Sequence, residues 1–173
     1  MIELLRKRRS IRKYNDDPVS DEIIDRILQA GLLSPTGRNK ESPEFIVVKD
    51  REVLINLSKT RSQGSGLIAD ANLAIVVVGD NEKSDTWIED CSIAMTSMQL
   101  TATQNDVGNC WVQVRGRYLE TTGEKTEDII KNMLKIPDHY SVESMLALGN
   151  TDEKWGKKKI SDVNEKRVHR EIF

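Results

Sequence analysis

Nothing in this chain is long and apolar enough to cross a bilayer. Its longest apolar run, Leu73-Ala74-Ile75-Val76-Val77-Val78, is strand length, far short of the ~20 residues a membrane helix needs. The first residues, Met1-Ile2-Glu3-Leu4-Leu5-Arg6, lack the apolar core of a secretory signal. A cytoplasmic location with no membrane partner is expected. Cysteine and histidine are scarce: Cys91, Cys110, His139 and His169 are all there is. Two thiols in a cytoplasmic chain of this size are expected to be free. Neither lies in a CxxC, and no His/Cys cluster has metal-ligand spacing, so a built-in metal site is not expected. There is no low-complexity stretch, internal repeat or domain linker. With 38% hydrophobic and 31% charged residues, the composition is that of an ordinary globular protein. A length of 173 residues suits one domain with a real core. The formal net charge of -2 is wrong for a polyanion binder as a whole, so any basic site must be local.

What is present is an alternation of helical and strand patterns. Met1 to about Arg8 is a short helix candidate. Residues 9 to 18 are charged and polar and end in Asp-Asp-Pro, which breaks a helix. Ser20 is a good N-cap for the next helix, and Asp21 and Glu22 suit its positive end. Ile23, Ile24, Ile27, Leu28 and Leu32 form its apolar face. That helix ends near Leu33, because Ser34 precedes Pro35. Residues 34 to 43 form a loop, and Phe45 to Val48 a strand. Residues 51 to 60 read as helix and Arg61 to Gly66 as a flexible loop with two glycines. Leu73 to Gly79 is a continuous apolar strand, expected to be buried on both faces. Thr86 to Asp106 is a long helix, apolar over much of its circumference, which suggests neighbours on several sides. Asn109 to Val114, Thr126 to Leu134 and Tyr140 to Leu148 read as strand, helix and strand. The order implies α+β or α/β, with one sheet sandwiched by helices. The polar, basic tail, 150 to 173, has little to bury. It either wanders free or lies on something else, and a partner subunit is the economical choice.

Three stretches have the composition of a site. Lys7-Arg8-Arg9-Ser10-Ile11-Arg12-Lys13 puts five cations in seven residues. Arginine forks match phosphate oxygens two at a time, and a serine hydroxyl adds a donor. On composition alone a solvated basic face is the favoured reading of the run. A nucleic-acid arm is a third option, which the lack of aromatic interleaving and the net charge disfavour. The loop from Ser34 to Phe45 carries Gly37, where the backbone can approach a flat ligand closely, and Asn39, which offers both donor and acceptor. An ordinary helix-to-strand connection would look the same. The third stretch is Gly108-Asn109-Cys110-Trp111-Val112-Gln113-Val114. Trp111 there is more often core than cofactor contact, and Cys110 reads as a small buried hydrophobe with no histidine in sequence reach.

Taken together, these stretches resemble the nitroreductase family. Arg8-Arg9-Ser10-Ile11-Arg12-Lys13-Tyr14 is similar to its opening signature. Ser34-Pro35-Thr36-Gly37-Arg38-Asn39-Lys40-Glu41-Ser42-Pro43-Glu44-Phe45 resembles its second, usually Pro-Ser-Ala-x-Asn-x-Gln-Pro-Trp-x-Phe. Gly108 to Gln113 resembles its Gly-x-Gly-x-Cys-Trp-Ile stretch. Ala71 to Gly79 before an acidic segment, Ile88-Glu89-Asp90 and Ile136-Pro137-Asp138 match as well. Order and spacing agree over nearly the whole chain.

The resemblance implies an α+β fold with a central, mostly antiparallel sheet sandwiched by helices, in an interlocked homodimer with one FMN at each of two subunit interfaces. Residues 1–173 would be a single FMN-binding domain, with 150–173 as a tail that wraps the partner. By carry-over, Arg8, Arg9, Ser10 and Arg12 would hold the phosphate and ribityl chain. Pro35, Thr36, Gly37 and Asn39 would come from the partner and line the ring system. Backbone N–H groups near Val112 and Gln113 would face the reactive ring nitrogen. A tail cation, Lys157, Lys158, Lys159 or Arg167, would reach the phosphate. The implied activity is hydride passage from NAD(P)H through FMN to a small acceptor such as a nitroaromatic or quinone, with no nucleophile or general base among the side chains. A non-catalytic FMN-binding module is the alternative. Where the family usually has Gln-Pro-Trp, this chain has Glu41-Ser42-Pro43. That loses an aromatic near the expected pocket and points to this position as a determinant of substrate choice.

Overall fold

The computed structural model describes residues 1–173. In chain order it contains α1 (Ile2–Lys7), α2 (Asp21–Leu32), β1 (Pro43–Val48), α3 (Arg51–Ser58), β2 (Leu73–Asp80), α4 (Trp87–Gln104), β3 (Gly108–Gln113), β4 (Tyr118–Leu119), β5 (Glu124–Lys125), α5 (Thr126–Leu134) and β6 (Tyr140–Gly149). The main sheet has the order β1-β2-β6-β3. Every pairing in it is antiparallel. Of the two fold classes open to the sequence, the structure is therefore α+β, because no strand pair needs a parallel crossover.

The two central strands explain the continuous apolar runs. Period-two alternation sends Ala74, Val76 and Val78 to one face of the sheet and Leu73, Ile75 and Val77 to the other. The first face packs on Leu54 and Leu57 of α3, Ile68, and Ile130 of α5. The second packs on Ile24 and Ile27 of α2 and on Cys91, Met95, Met98 and Ala102 of α4. Each layer removes large aliphatic side chains from water, and each full burial contributes about 1.5–3 kcal/mol. One irregularity lies in the middle of the sheet. The register jumps between Val77 and Val78, whose partners are Ser144 and Val142. Glu143 is thus the extra residue of a β-bulge, at the height where β3 ends.

Helix boundaries follow their local chemistry. The Ser20 hydroxyl accepts from the Ile23 N–H at 3.4 Å, and the Asp50 side chain accepts from the Val53 N–H at 3.0 Å. Both are N-caps. No helix is long and apolar enough to cross a membrane.

Four features differ from the sequence reading. The third helix stops at Ser58 rather than residue 60, because Lys59 and Thr60 close a turn onto Asn56 and Leu57. The Arg61–Gly66 loop is held rather than loose. Buried Ser65 donates to the Ser58 and Arg61 carbonyls at 2.7 and 3.3 Å, and the Thr126 hydroxyl donates to Thr60 O at 3.1 Å. The β4–β5 hairpin was not anticipated, since two-residue strands carry no periodicity. Helix α4 packs on the sheet and α2, but its outer stripe, Glu89, Ile93 and Thr96, is exposed.

The tail divides in two. Its first part returns to its own N-terminal helix: the Trp155 indole N–H donates to Lys7 O at 3.0 Å, Lys158 N to Arg6 O at 3.0 Å, and Arg6 Nε to Lys158 O at 2.8 Å. From Ile160 onward the apolar residues Ile160, Val163, Val168, Ile172 and Phe173 are exposed.

Candidate functional site

The basic run leaves α1 and crosses the open edge of β3, where the Ile11 N–H donates to Asn109 O at 2.9 Å. Ile11 is buried, while Arg9, Ser10 and Arg12 are exposed. The start of β3 is itself fixed. The Asn109 amide donates to Thr103 Oγ1 at 3.1 Å and to Val107 O at 3.2 Å, and accepts from Gln99 Nε2 at 3.3 Å. Its side chain is used entirely inside the chain, which anchors the strand to α4.

The run's charges separate into two groups. Lys7 pairs with Asp106 at 2.5 Å, and the adjoining Arg6 pairs with Glu3 at 2.5 Å. Arg8, Arg9 and Arg12 make no ion pair. Three guanidiniums with a serine among them, on one rigid edge, form a donor set without an anionic partner. That is the arrangement a phosphate would complete.

Cys110 faces this cluster. Burial holds its thiol above the ordinary range, against the opposing pull of Arg12, Ser10 and Arg8. Cys91 is pushed up to about 12, chiefly by burial and then by Glu143 and Asp90. Both cysteines are free and buried, and neither has the lowered pKa of a nucleophile.

At the far end of β3, the Gln113 carbonyl accepts from Arg61 Nη1 at 2.8 Å. Asn109 and Gln113 both turn their main chains outward, so by alternation the Gln113 N–H also lies on the open edge. Val112 is opposite Met145 in the register, and the same alternation turns its N–H toward β6. Its side chain is core. The Gln113 side chain is clamped: Oε1 accepts from the Trp111 indole at 2.9 Å, and Nε2 donates to Arg115 O at 3.2 Å and to Glu143 Oε1 at 3.3 Å. Glu143 is 3% exposed, and its other carboxyl oxygen has no partner. Trp111 packs against the α2–α4 core, so its ring is half core and its N–H belongs to the strand's edge. Asn109 to Gln113 spans about 13 Å at ~3.3 Å per residue.

The 34–43 loop sits elsewhere. It precedes β1, on the opposite edge of the sheet from β3, about 14 Å across at ~4.8 Å per strand spacing. The structure therefore brings residues 8–12 and 109–113 together in one chain and keeps Pro35, Thr36, Gly37 and Asn39 apart from them.

The loop has an unusual backbone and a buried anchor. Arg38, Asn39 and Glu41 have φ of 52°, 54° and 49°, a left-handed conformation that side chains other than glycine adopt at some cost. Asp90, in the first turn of α4 and 2% exposed, accepts from the Gly37 N–H at 2.8 Å and from the Ser42 and Ser84 hydroxyls at 2.9 and 3.2 Å. The Thr36 hydroxyl accepts from the Glu41 N–H at 3.0 Å. Gly37 is required by its own chain: a Cβ there would lie 2.1 Å from Thr86 Oγ1. The space beside it is filled by Thr86. Gly37→Ala is expected to lower stability by about 1–3 kcal/mol, as overpacking does. Combining it with Thr86→Ala should recover part of the loss, measured as the urea midpoint of single and double variants. Ser42, within the stretch where the chain departs from the family pattern, is likewise committed to Asp90.

Asp90 is the residue the sequence reading passed over as to role. A signal existed: residues 90, 94, 98 and 102 recur at helical spacing along the buried stripe of α4. An acid in a helix's first turn is common enough on the surface that the spacing alone did not mark it out. Arg61, Ser84 and Thr86 carried no such signal.

Comparison with known proteins identifies the family. The model of the nitroreductase family matches residues 5–64. A protein of Archaeoglobus fulgidus, provisionally named an NADH dehydrogenase/NAD(P)H nitroreductase, is 35% identical over 175 aligned positions, covering 98% of this chain and 97% of its own. Another of that name, from Methanothermobacter thermautotrophicus, is 32% identical, covering 99% of this chain and 86% of its own. A solved structure described as an FMN-dependent nitroreductase from Clostridium difficile R20291 superimposes with a TM-score of 0.96 at 45% identity, with 100% of each chain covered. With the fold, the order of the three stretches and full-length similarity in agreement, the chain belongs to the nitroreductase family.

Proposed function

We propose that this chain is an FMN-dependent NAD(P)H oxidoreductase that acts on a small acceptor such as a nitroaromatic or a quinone. The observation that carries the reading is the set of unpaired cations at Arg8, Arg9 and Arg12, with Ser10 among them, fixed on the edge of β3 through Ile11 and Asn109. The names of the Clostridium difficile and Archaeoglobus fulgidus relatives, one FMN-dependent and the other an NAD(P)H nitroreductase, support it. When bound, FMN supplies the hydride relay between NAD(P)H and acceptor.

The chain's own groups then have separate tasks. Arg8, Arg12 and Ser10 grip the phosphate, and Arg9 adds positive potential. Strand β3 runs on from that grip, and the outward N–H of Gln113 supplies a donor to the ring. Val112 sets the strand's depth through its core side chain. The clamp on the Gln113 side chain keeps that edge rigid without a mobile group. Lys158 and Lys159 line a cavity of about 570 Å³ together with Arg8, whereas Lys157 is paired with Glu3 at 3.2 Å. On this reading Lys158 and Lys159 are favoured over the ion-paired Lys157 as tail cations for the phosphate grip.

The site is completed by a second copy. Pro35, Thr36, Gly37 and Asn39 lie on the opposite edge of their own sheet, so they line the ring of the partner's FMN. The exposed apolar residues from Ile160 to Phe173, and the outer stripe of α4, suit burial in that homodimer. Residues 1–173 form one domain, and the wrapping part of the tail is its last portion.

The purified protein is expected to be yellow and to hold FMN. NADH or NADPH should bleach it anaerobically, and a nitroaromatic or quinone should restore the colour. A protein that stays colourless in excess FMN overturns the reading. Bound flavin that neither dinucleotide reduces assigns it instead to a binding module.

A further inference from the structure

Beside the end of β3, two held loops enclose a cleft that none of these roles uses. Its wall is made by Arg61, Ser62, Gln63, Gly116, Arg117, Tyr118 and Glu120, around a cavity of about 310 Å³. The first loop follows α3 and the second follows β3. They are tied together by the Arg61 guanidinium on Gln113 O at 2.8 Å and by the Glu120 N–H donating to the Ser62 hydroxyl at 2.8 Å. Thr126, whose hydroxyl donates to Thr60 O, also donates its N–H to Arg117 O at 3.0 Å. Gly64 adopts φ +84°, and a Cβ there would lie 3.3 Å from Arg61 Nη2. The loop thus packs closely on the guanidinium it presents.

Neither arginine is compensated. Arg61 and Arg117 form no ion pair, and the Arg117 side chain makes no hydrogen bond within the chain. Glu120 is the one acid on the wall, and it pairs with neither. Both line the same cavity, and burial, then the neighbouring Arg117, push the Arg61 pKa down. Guanidiniums placed together without a carboxylate, beside the Ser62 hydroxyl and the Gln63 amide, offer forked donors to a planar or tetrahedral oxyanion.

We propose that this cleft is an oxyanion subsite that holds a phosphate or carboxylate of the substrate while its reacting part lies against Gln113. The assignment of a substrate rests on the oxidoreductase reading; the anion site itself does not. Two sources share this chemistry: a phosphate of the nicotinamide dinucleotide and a carboxylate on the acceptor. Arg61 has a second task, holding the strand end, so Arg117 is the residue to vary.

The holoprotein is titrated with inorganic phosphate at constant ionic strength, and the arginine Nε–H NMR signals of Arg61 and Arg117 are followed. A saturable shift of both in the wild type, with the Arg61 shift lost in Arg117→Gln and partly kept in Arg117→Lys, supports the subsite. Signals that move only in proportion to salt overturn it, whether or not the protein holds FMN. Steady-state kinetics then separate the sources. If the dinucleotide occupies the cleft, Arg117→Gln raises KM for NADPH or NADH roughly tenfold or more, as loss of a charge-assisted contact does. If the acceptor occupies it, the same rise appears for a nitrobenzoate and not for its uncharged nitrobenzamide analogue. Equal KM values in wild type and variant for all four compounds overturn the assignment to substrate. A wild-type protein without turnover removes the oxidoreductase reading and leaves the phosphate titration to decide the site.

Discussion

Replacing Arg8 and Arg12 together by alanine is expected to yield a folded protein that no longer retains FMN. In the proposed grip each guanidinium would contribute charge-assisted hydrogen bonds of about 1.5–3 kcal/mol to the phosphate. Losing both raises the flavin dissociation constant roughly a hundred- to ten-thousand-fold, where ~1.4 kcal/mol is tenfold. The stability of the apoprotein should barely change. Neither side chain is ion-paired, and Arg12 makes only one hydrogen bond, to Ser10 O at 3.2 Å. Removing unpaired like charges if anything relieves repulsion. Flavin fluorescence titration measures the affinity, and urea unfolding without FMN measures the stability. An unchanged flavin affinity would remove these residues from the phosphate site. Lys7→Ala is the internal control. Its charge is already matched by Asp106, so it should alter flavin affinity far less.

The second large effect is expected at Asp90. Alanine there leaves the Gly37 N–H and the hydroxyls of Ser42 and Ser84, all tied to this carboxyl group, without their acceptor. Ser42 and Ser84 are each 1% exposed. Stranding buried donors costs about 1–3 kcal/mol apiece before relaxation and water entry. A net loss of about 3–5 kcal/mol is expected, the size seen when a buried polar cluster loses its centre. Asp90→Asn should lose less, because the amide oxygen still accepts and hydroxyls can turn to accept from its NH2. Urea midpoints at constant m-value measure both. The carboxyl group also holds a loop with three left-handed residues. The alanine variant should therefore weaken flavin binding even at temperatures where it remains folded. A variant within about 1 kcal/mol of wild type would show that the loop is held by other contacts.

Much of the architecture was legible because it rests on local pattern. Ser20 with Asp21 and Glu22 marks a helix start, and the observed α2 begins at Asp21. The unbroken run at Leu73–Val78 implied a strand with two buried faces, and both cores take their share of it. The short β4–β5 hairpin and the hold on the Arg61–Gly66 loop were not legible. They depend on hydrogen bonds between segments as far apart as Thr60 and Thr126, which no periodicity records.

The sequence by itself determined the four strands of the main sheet, the helices, the family resemblance and the existence of a local cluster of positive charge. Those follow from the spacing of side chains along the backbone and from residue type. Only the tertiary structure decided which of its charges are matched within the chain. It matched Lys7 to an aspartate 99 positions away and left Arg8, Arg9 and Arg12 without partners. It set the Asn39 loop and the Gln113 strand end on opposite edges of one sheet. It also placed Asp90 beneath the loop and Arg61 beside Arg117. Ion pairing, burial and strand order are relations between distant segments. They are set when the chain packs, and composition does not contain them.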